Sequence, residues 1–100
     1  MLFMVIEHFK NRDAKAVYRR AQEHGRMLPE GLLYIDSWVE ANFERCFQLM
    51  ECHDPRLFQQ WTAEWQDLVE FEIIPVIASP VIASPVIASE EAAGVIRSQS

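Results

Sequence analysis

Residues 32–52, LLYIDSWVEANFERCFQLMEC, decide the fold. Their first ten positions alternate. Leu33, Ile35, Ser37, Val39 and Ala41 fall on one side, and Leu32, Tyr34, Asp36, Trp38 and Glu40 on the other. A period of two marks a β-strand, whose successive side chains point to opposite faces. Residues 45–52 (RCFQLMEC) form a second run of strand length, and Asn42 with its neighbours leaves room only for a tight connection. The stretch is therefore a β-hairpin.

On either side of the hairpin the pattern is a helix and then a strand. Upstream, Ala14, Val17, Tyr18 and Ala21 recur at helical spacing, with Arg19, Arg20 and Glu23 elsewhere on the wheel. Asn11 or Asp13 can cap this helix, Gly25 can take the left-handed position that ends it, and Pro29 and Gly31 punctuate a turn. Before it, residues 2–9 (LFMVIEHF) read as a buried strand. Downstream, Asp54 serves as an N-cap, with Pro55 in the first helical position, where its missing N–H costs nothing. Leu57, Phe58, Trp61, Trp65 and Leu68 then trace an apolar stripe, and residues 70–77 (EFEIIPVI) make the last strand. Trp61 and Trp65, one turn apart, are expected to anchor the second helix on the sheet.

The order β-α-β-β-α-β is the split pattern of ferredoxin-like folds. The fold class expected is α+β: a four-stranded antiparallel sheet with two helices on one face, spanning residues 1–78. The strands are apolar on both sides. Phe3 and Val5 oppose Leu2, Met4 and Ile6, while Phe71 and Ile73 oppose Ile74 and Val76. In the second strand the small aliphatics suit the helices, which leaves Tyr34 and Trp38 on the uncovered face. An aromatic sheet face open to water marks an interface. Two sheets packed face to face would close it, so a homodimer is expected.

Composition agrees with one soluble domain. The chain has 100 residues, half of them apolar and 24% charged, with a net charge of −6. That balance speaks against nucleic acid or an anionic membrane as the main partner. No apolar run reaches the ~18 residues of a membrane helix, and the apolar start lacks the basic region of a secretory signal. The first fifty residues carry seven basic and seven acidic side chains, so the whole negative charge lies in the second half. Lys10, Arg12, Lys15, Arg19, Arg20 and Arg26 crowd one segment. It reads as a solvated helix face, or as a surface complementary to the acidic half of another copy. Cys46 and Cys52 lie six residues apart, roughly 20 Å along one strand and too far for a disulfide, so a reducing cytoplasm is the expected location.

The stretches MLFMVIEHFKNRDAKAVYRR, EGLLYIDSWVEANFERCFQLMEC and DPRLFQQWTAEWQDLVEFEI, with a closing P-V-x-x-S-x-E-A segment, resemble a bacterial family of small proteins known as a domain of unknown function. The resemblance covers residues 1–79 and 89–96. It implies a dimeric α+β barrel of ferredoxin-like type and no catalytic residues. Wider relatives of this fold include small monooxygenases, isomerases and haem enzymes, a kinship of fold alone.

The tail departs from that family pattern. Residues 75–79, 80–84 and 85–89 are three copies of PVIAS where the pattern needs one. A period of five fits neither strand nor helix, and Pro80 and Pro85 restrict any strand to an edge. The repeat reads as an extended arm, either loose or packed on a partner subunit, or as a promoter of higher assembly. Fifteen extended residues reach roughly 50 Å. Ser89, Glu90 and Glu91 then start a short C-terminal helix over 90–97.

No phosphate loop, zinc signature or nucleophile elbow occurs. His8, His24, His53, Cys46 and Cys52 cannot converge on one ion within a subunit, so no metal and no cofactor is expected. The candidate pocket residues are His8, Tyr34, Asp36 and Trp38, with Glu7 beside His8 at the sheet end. Asp36 between two aromatics would have a raised pKa if buried. The other reading pairs Asp36 with an Arg across the dimer and makes the aromatics interface packing. The expected function is a homodimeric binding or assembly module with its tail in subunit contacts and a small apolar molecule as its one candidate ligand. The alternative is a cofactor-free enzyme of monooxygenase or isomerase type, with His8 or Asp36 as base.

Overall fold

The computed structural model describes residues 1–79. The chain runs β1 (Leu2–Phe9), a 3-10 turn (Lys10–Arg12), α1 (Ala14–His24), β2 (Leu33–Val39), β3 (Arg45–Glu51), α2 (Arg56–Ala63) and β4 (Val69–Val76). All pairings are antiparallel and the strand order is β2-β3-β1-β4, consistent with a ferredoxin-like fold. The α+β class and the six main elements read from the sequence are all present. Pro75 sits in β4, an edge strand, where a missing N–H is tolerated. Residues 80–97, with most of the repeat arm and the terminal helix read from the sequence, lie outside the described residues.

Burial alternates cleanly along β1. Phe3, Val5, Glu7 and Phe9 are buried, and the ladder sets Met50, Gln48 and Cys46 of β3 beside the first three. Ile73, Phe71 and Val69 of β4 flank the same face on the other side. Both helices pack here. Phe58 meets Phe3 edge-on at 4.9 Å between ring centroids, Trp61 meets Phe71 at 5.2 Å, and Tyr18 meets Phe9 at 6.2 Å. Trp61, 1% exposed, is the largest of the fully buried side chains.

The caps follow the local chemistry. The Asp13 carboxylate accepts from the Ala16 N–H at 3.1 Å, and Gly25, at φ 69°, closes α1 with its N–H donating to the Ala21 carbonyl at 2.8 Å. Ahead of α2, the Asp54 carboxylate accepts from the Arg56 N–H at 3.0 Å, and Pro55 holds the N-cap position that the sequence suggested for Asp54. Two ties then join the helical segments. Trp61 and Trp65 both donate their indole N–H to the Arg26 carbonyl, at 2.9 and 3.1 Å. Arg20 forks onto both oxygens of Asp67 at 2.7 Å each and also reaches the Glu64 carbonyl at 3.0 Å. Lys10 donates to the Gln66 carbonyl at 2.6 Å, and Arg12 pairs with Glu44 at 3.1 Å. Lys10, Arg12 and Arg20 of the basic cluster are thus bonded within the chain.

β2 does not alternate strictly. Tyr34 pairs with Met50 and Asp36 with Leu49, so Ile35 is an extra residue, a β-bulge. The bulge moves the strand's phase by one. Tyr34, Ser37 and Val39 share the helix side with Met50, Gln48 and Cys46, whereas Leu33, Asp36 and Trp38 share the open side with Glu51, Leu49 and Phe47. Tyr34, which strict alternation places on the open face beside Trp38, instead lies on the helix side. Its hydroxyl bonds Ser37 at 2.6 Å, and the Arg26 guanidinium stacks 3.6 Å from its ring centroid.

The open face is apolar through its centre, with Leu2, Met4 and Ile6 from β1 and Phe47 and Leu49 from β3. Leu33, Trp38 and Ile74 on the edge strands are 55%, 50% and 41% exposed, and no described residue covers them. Among the described residues no helix is long and apolar enough to cross a membrane.

Candidate functional site

A cavity of about 290 Å³ lies between the helix side of the sheet and the two helices. Its walls are apolar: Phe9 from β1, Val17 and Ala21 from α1, and Trp61 and Trp65 from the α2 segment. Tyr18, Arg26 and Val39 are solvent-exposed and border its mouth. Glu7, Cys46 and Gln48 face it from the sheet. The register explains their convergence, because Glu7 is paired with Cys46, and Gln48 stands one step along the same face beside Val5.

These polar groups are buried where burial is costly. Glu7 is 7% exposed and Gln48 6%. Burial pushes the Glu7 carboxyl above its ordinary value, while hydrogen bonds from Gln48 and Cys46 and the charge of Arg26 draw it part of the way back. The Cys46 thiol is pushed up to about 12, first by burial and then by the neighbouring Glu7 charge and hydrogen bond. It therefore stays protonated at neutral pH as an S–H donor and is not a reactive thiolate. The side-chain oxygen of Gln48 has no hydrogen-bond partner among the described residues. Such an orphaned acceptor costs roughly 1–3 kcal/mol until something donates to it.

The residues read from the sequence as pocket candidates do not share this cavity. His8 is on the open face, bonded through Nε2 to Glu72 at 2.7 Å, and borders a surface groove with Lys10, Asn11 and Glu70. Asp36 is solvent-exposed and not buried between aromatics, its carboxylate accepting from the Ser37 N–H at 2.8 Å. Trp38 lies on the open face opposite Phe47, two strands from Ile6. Tyr34 alone is on the helix side, outside the cavity lining but bonded to Ser37, which is part of it. Glu7 and His8, neighbours at the sheet end, point to opposite faces of β1. The informative signal was positional: a carboxylate at an inward position between Val5 and Phe9, and an amide at an inward position of β3. Among the described residues no three His, Cys, Asp or Glu side chains are placed to share a metal ion.

Comparison with known proteins agrees with the sequence resemblance. The family described as Domain of unknown function (DUF3303) matches residues 1–99, and the chain belongs to that family. No curated protein and no solved structure matches it.

Proposed function

We propose that this member of the DUF3303 family is a small homodimeric binding module, each subunit holding a small, largely apolar molecule between its sheet and its helices. The observation that carries this is the cavity of about 290 Å³, walled by Trp61, Trp65, Phe9 and Val17. A dry void of ~150 Å³ already takes up benzene, so a molecule of one or two rings is of suitable size.

A second copy is the occupant that suits the open sheet face. Four strands of about seven residues make a patch of about 20 by 25 Å. Two such patches face to face bury on the order of 1,000 Å², the lower bound for a specific interface. Around its apolar centre lie Glu51 and Glu70, with Arg45 forked onto Glu40 and His8 bonded to Glu72 within the chain, so the rim is polar while the centre is apolar. The repeat tail adds subunit contacts in this proposal. Cys46 and Cys52 are both free thiols, which suits a cytoplasmic protein.

One observation favours a second reading. The buried Glu7 carboxyl faces the cavity, and as a proton acceptor it would serve a cofactor-free isomerase- or monooxygenase-like enzyme in place of His8 or Asp36.

The binding reading is tested by titrating naphthalene into the ¹⁵N-labelled full chain. Of the three tryptophans, Trp61 and Trp65 line the cavity and Trp38 does not. Their two indole N–H signals should shift together while that of Trp38 stays in place. If no signal moves, or all three move alike, the cavity is not the binding site.

A further inference from the structure

We propose that the cavity selects a protonated amine carried on a one- or two-ring apolar frame, with the ammonium paired to the Glu7 carboxylate. This rests on the binding reading above and adds the charge of the ligand. Glu7 is 7% exposed, lines the cavity, and forms no ion pair among the described residues. The cations around the cavity are held elsewhere. The Arg26 guanidinium, at the mouth, lies 3.6 Å from the Tyr34 ring centroid, and Arg20, against Trp65, is forked onto Asp67 at 2.7 Å. Arg26 acts on Glu7 through space, but burial outweighs it. Beside Glu7 the sheet presents Cys46 and Gln48, and neither carries a positive charge.

A carboxyl so buried without a counter-ion either keeps a proton or takes up a cation. The side chains present do not make up a metal's ligand set, since among the described residues no three His, Cys, Asp or Glu are placed to share an ion. An organic ammonium needs one carboxylate at its charged end and apolar surface around the rest. Trp61, Trp65 and Phe9 supply that surface, and the faces of such rings attract a cation as well as packing a flat frame.

Three probes share one ring system and differ at the group that would meet Glu7: 1-(aminomethyl)naphthalene is a cation, 1-naphthalenemethanol a neutral donor and 1-naphthoate an anion. By calorimetry with the full chain at neutral pH, the amine should bind about tenfold or more tightly than the alcohol, and the carboxylate more weakly than either. The net charge of −6 favours any cation, so two controls separate the site from the surface. Added salt should leave the preference for the amine in place, because a buried pair is screened far less than surface charge. Glu7→Gln keeps the side-chain shape and removes one charge at the cavity, and amine and alcohol should then bind within about twofold of each other. If wild type binds the alcohol as tightly as the amine, or salt abolishes the preference, or it survives in Glu7→Gln, the pairing with Glu7 is wrong while the binding reading stands. The same holds if the amine does not bind but naphthalene shifts the Trp61 and Trp65 signals. If neither these probes nor naphthalene binds, both are wrong. The wild-type ranking with and without salt decides even if the variant does not fold.

Discussion

A carboxyl group at the inward position between Val5 and Phe9 works against the fold whenever it is ionised. Burial raises the pKa of Glu7 in the folded chain above its ordinary value of 4.5. The folded state therefore binds this proton more tightly than the unfolded state does. The associated stability is fully present below the unfolded pKa and is lost as pH rises through the folded one. The more fully the group is ionised in the folded chain, the more of that stability is gone. Glu7→Gln keeps the shape and a hydrogen-bonding amide while abolishing the charge. Its Tm should exceed that of wild type at pH 7, and the difference should shrink toward zero below about pH 4. Thermal unfolding of the two proteins from pH 3 to 8 checks this, and a gain independent of pH would contradict it. Other titrating groups, such as Asp67, held down to about 2 by its Arg20 fork, are common to both proteins and cancel in the comparison. A buried carboxyl that costs the fold stability and faces a cavity points to the site and not to packing.

The α2 segment shows why side-chain anchors outweigh helix propensity in so short an element. Eight residues, Arg56–Ala63, are too few to be helical alone, so α2 depends on what Phe58 and Trp61 bury. Trp61→Ala should cost roughly 3–5 kcal/mol in chemical denaturation. Trp61→Phe retains most of the apolar area and forfeits the bond to the Arg26 carbonyl, which Trp65 still satisfies, so its loss should be nearer 1 kcal/mol. Equal losses in the two variants would mean that the hydrogen bond, not the buried area, holds the element. The apolar period of α2 was legible because it is a local property. The same holds for β1, where Phe3, Val5 and Phe9 alternate with Leu2, Met4 and Ile6. In β2 the sides of Asp36 to Val39 were legible, but those of Leu33 and Tyr34 were not: a bulge at Ile35 leaves no mark in an alternating run, yet it reverses the phase between the two parts, and so Tyr34 and Trp38 part company. The cavity was hidden for a related reason. It forms where side chains of β1, α1, β3 and the α2 segment come together, a tertiary arrangement that no period reports. Only the inward position of Glu7 hinted at it.

Both faces of the sheet are apolar, and the helices cover only one. On the other, Ile6 and Phe47 pair across the two central strands, as do Met4 and Leu49, with Trp38 and Ile74 exposed at the edges. For a domain of this size, leaving that surface in water forfeits stabilisation worth ~25 cal/mol per Å². A second copy recovers it twice over, because a two-fold axis makes each contact count in both subunits. Light scattering on the full chain at micromolar concentration should give about twice the monomer mass of 11.6 kDa. Leu49→Glu places a charge at the centre of the patch, and the two-fold brings two such charges into one desolvated interface, so the variant should weigh as one chain. Since Leu49 faces away from the cavity, naphthalene should still shift the Trp61 and Trp65 signals of this variant, distinguishing loss of assembly from loss of fold. Deleting residues 80–89 separates the tail from the sheet. A mass that stays at two chains after this deletion but falls to one in Leu49→Glu assigns the interface to the open face. A wild-type mass of one chain would show that this face is not closed by a second copy at all.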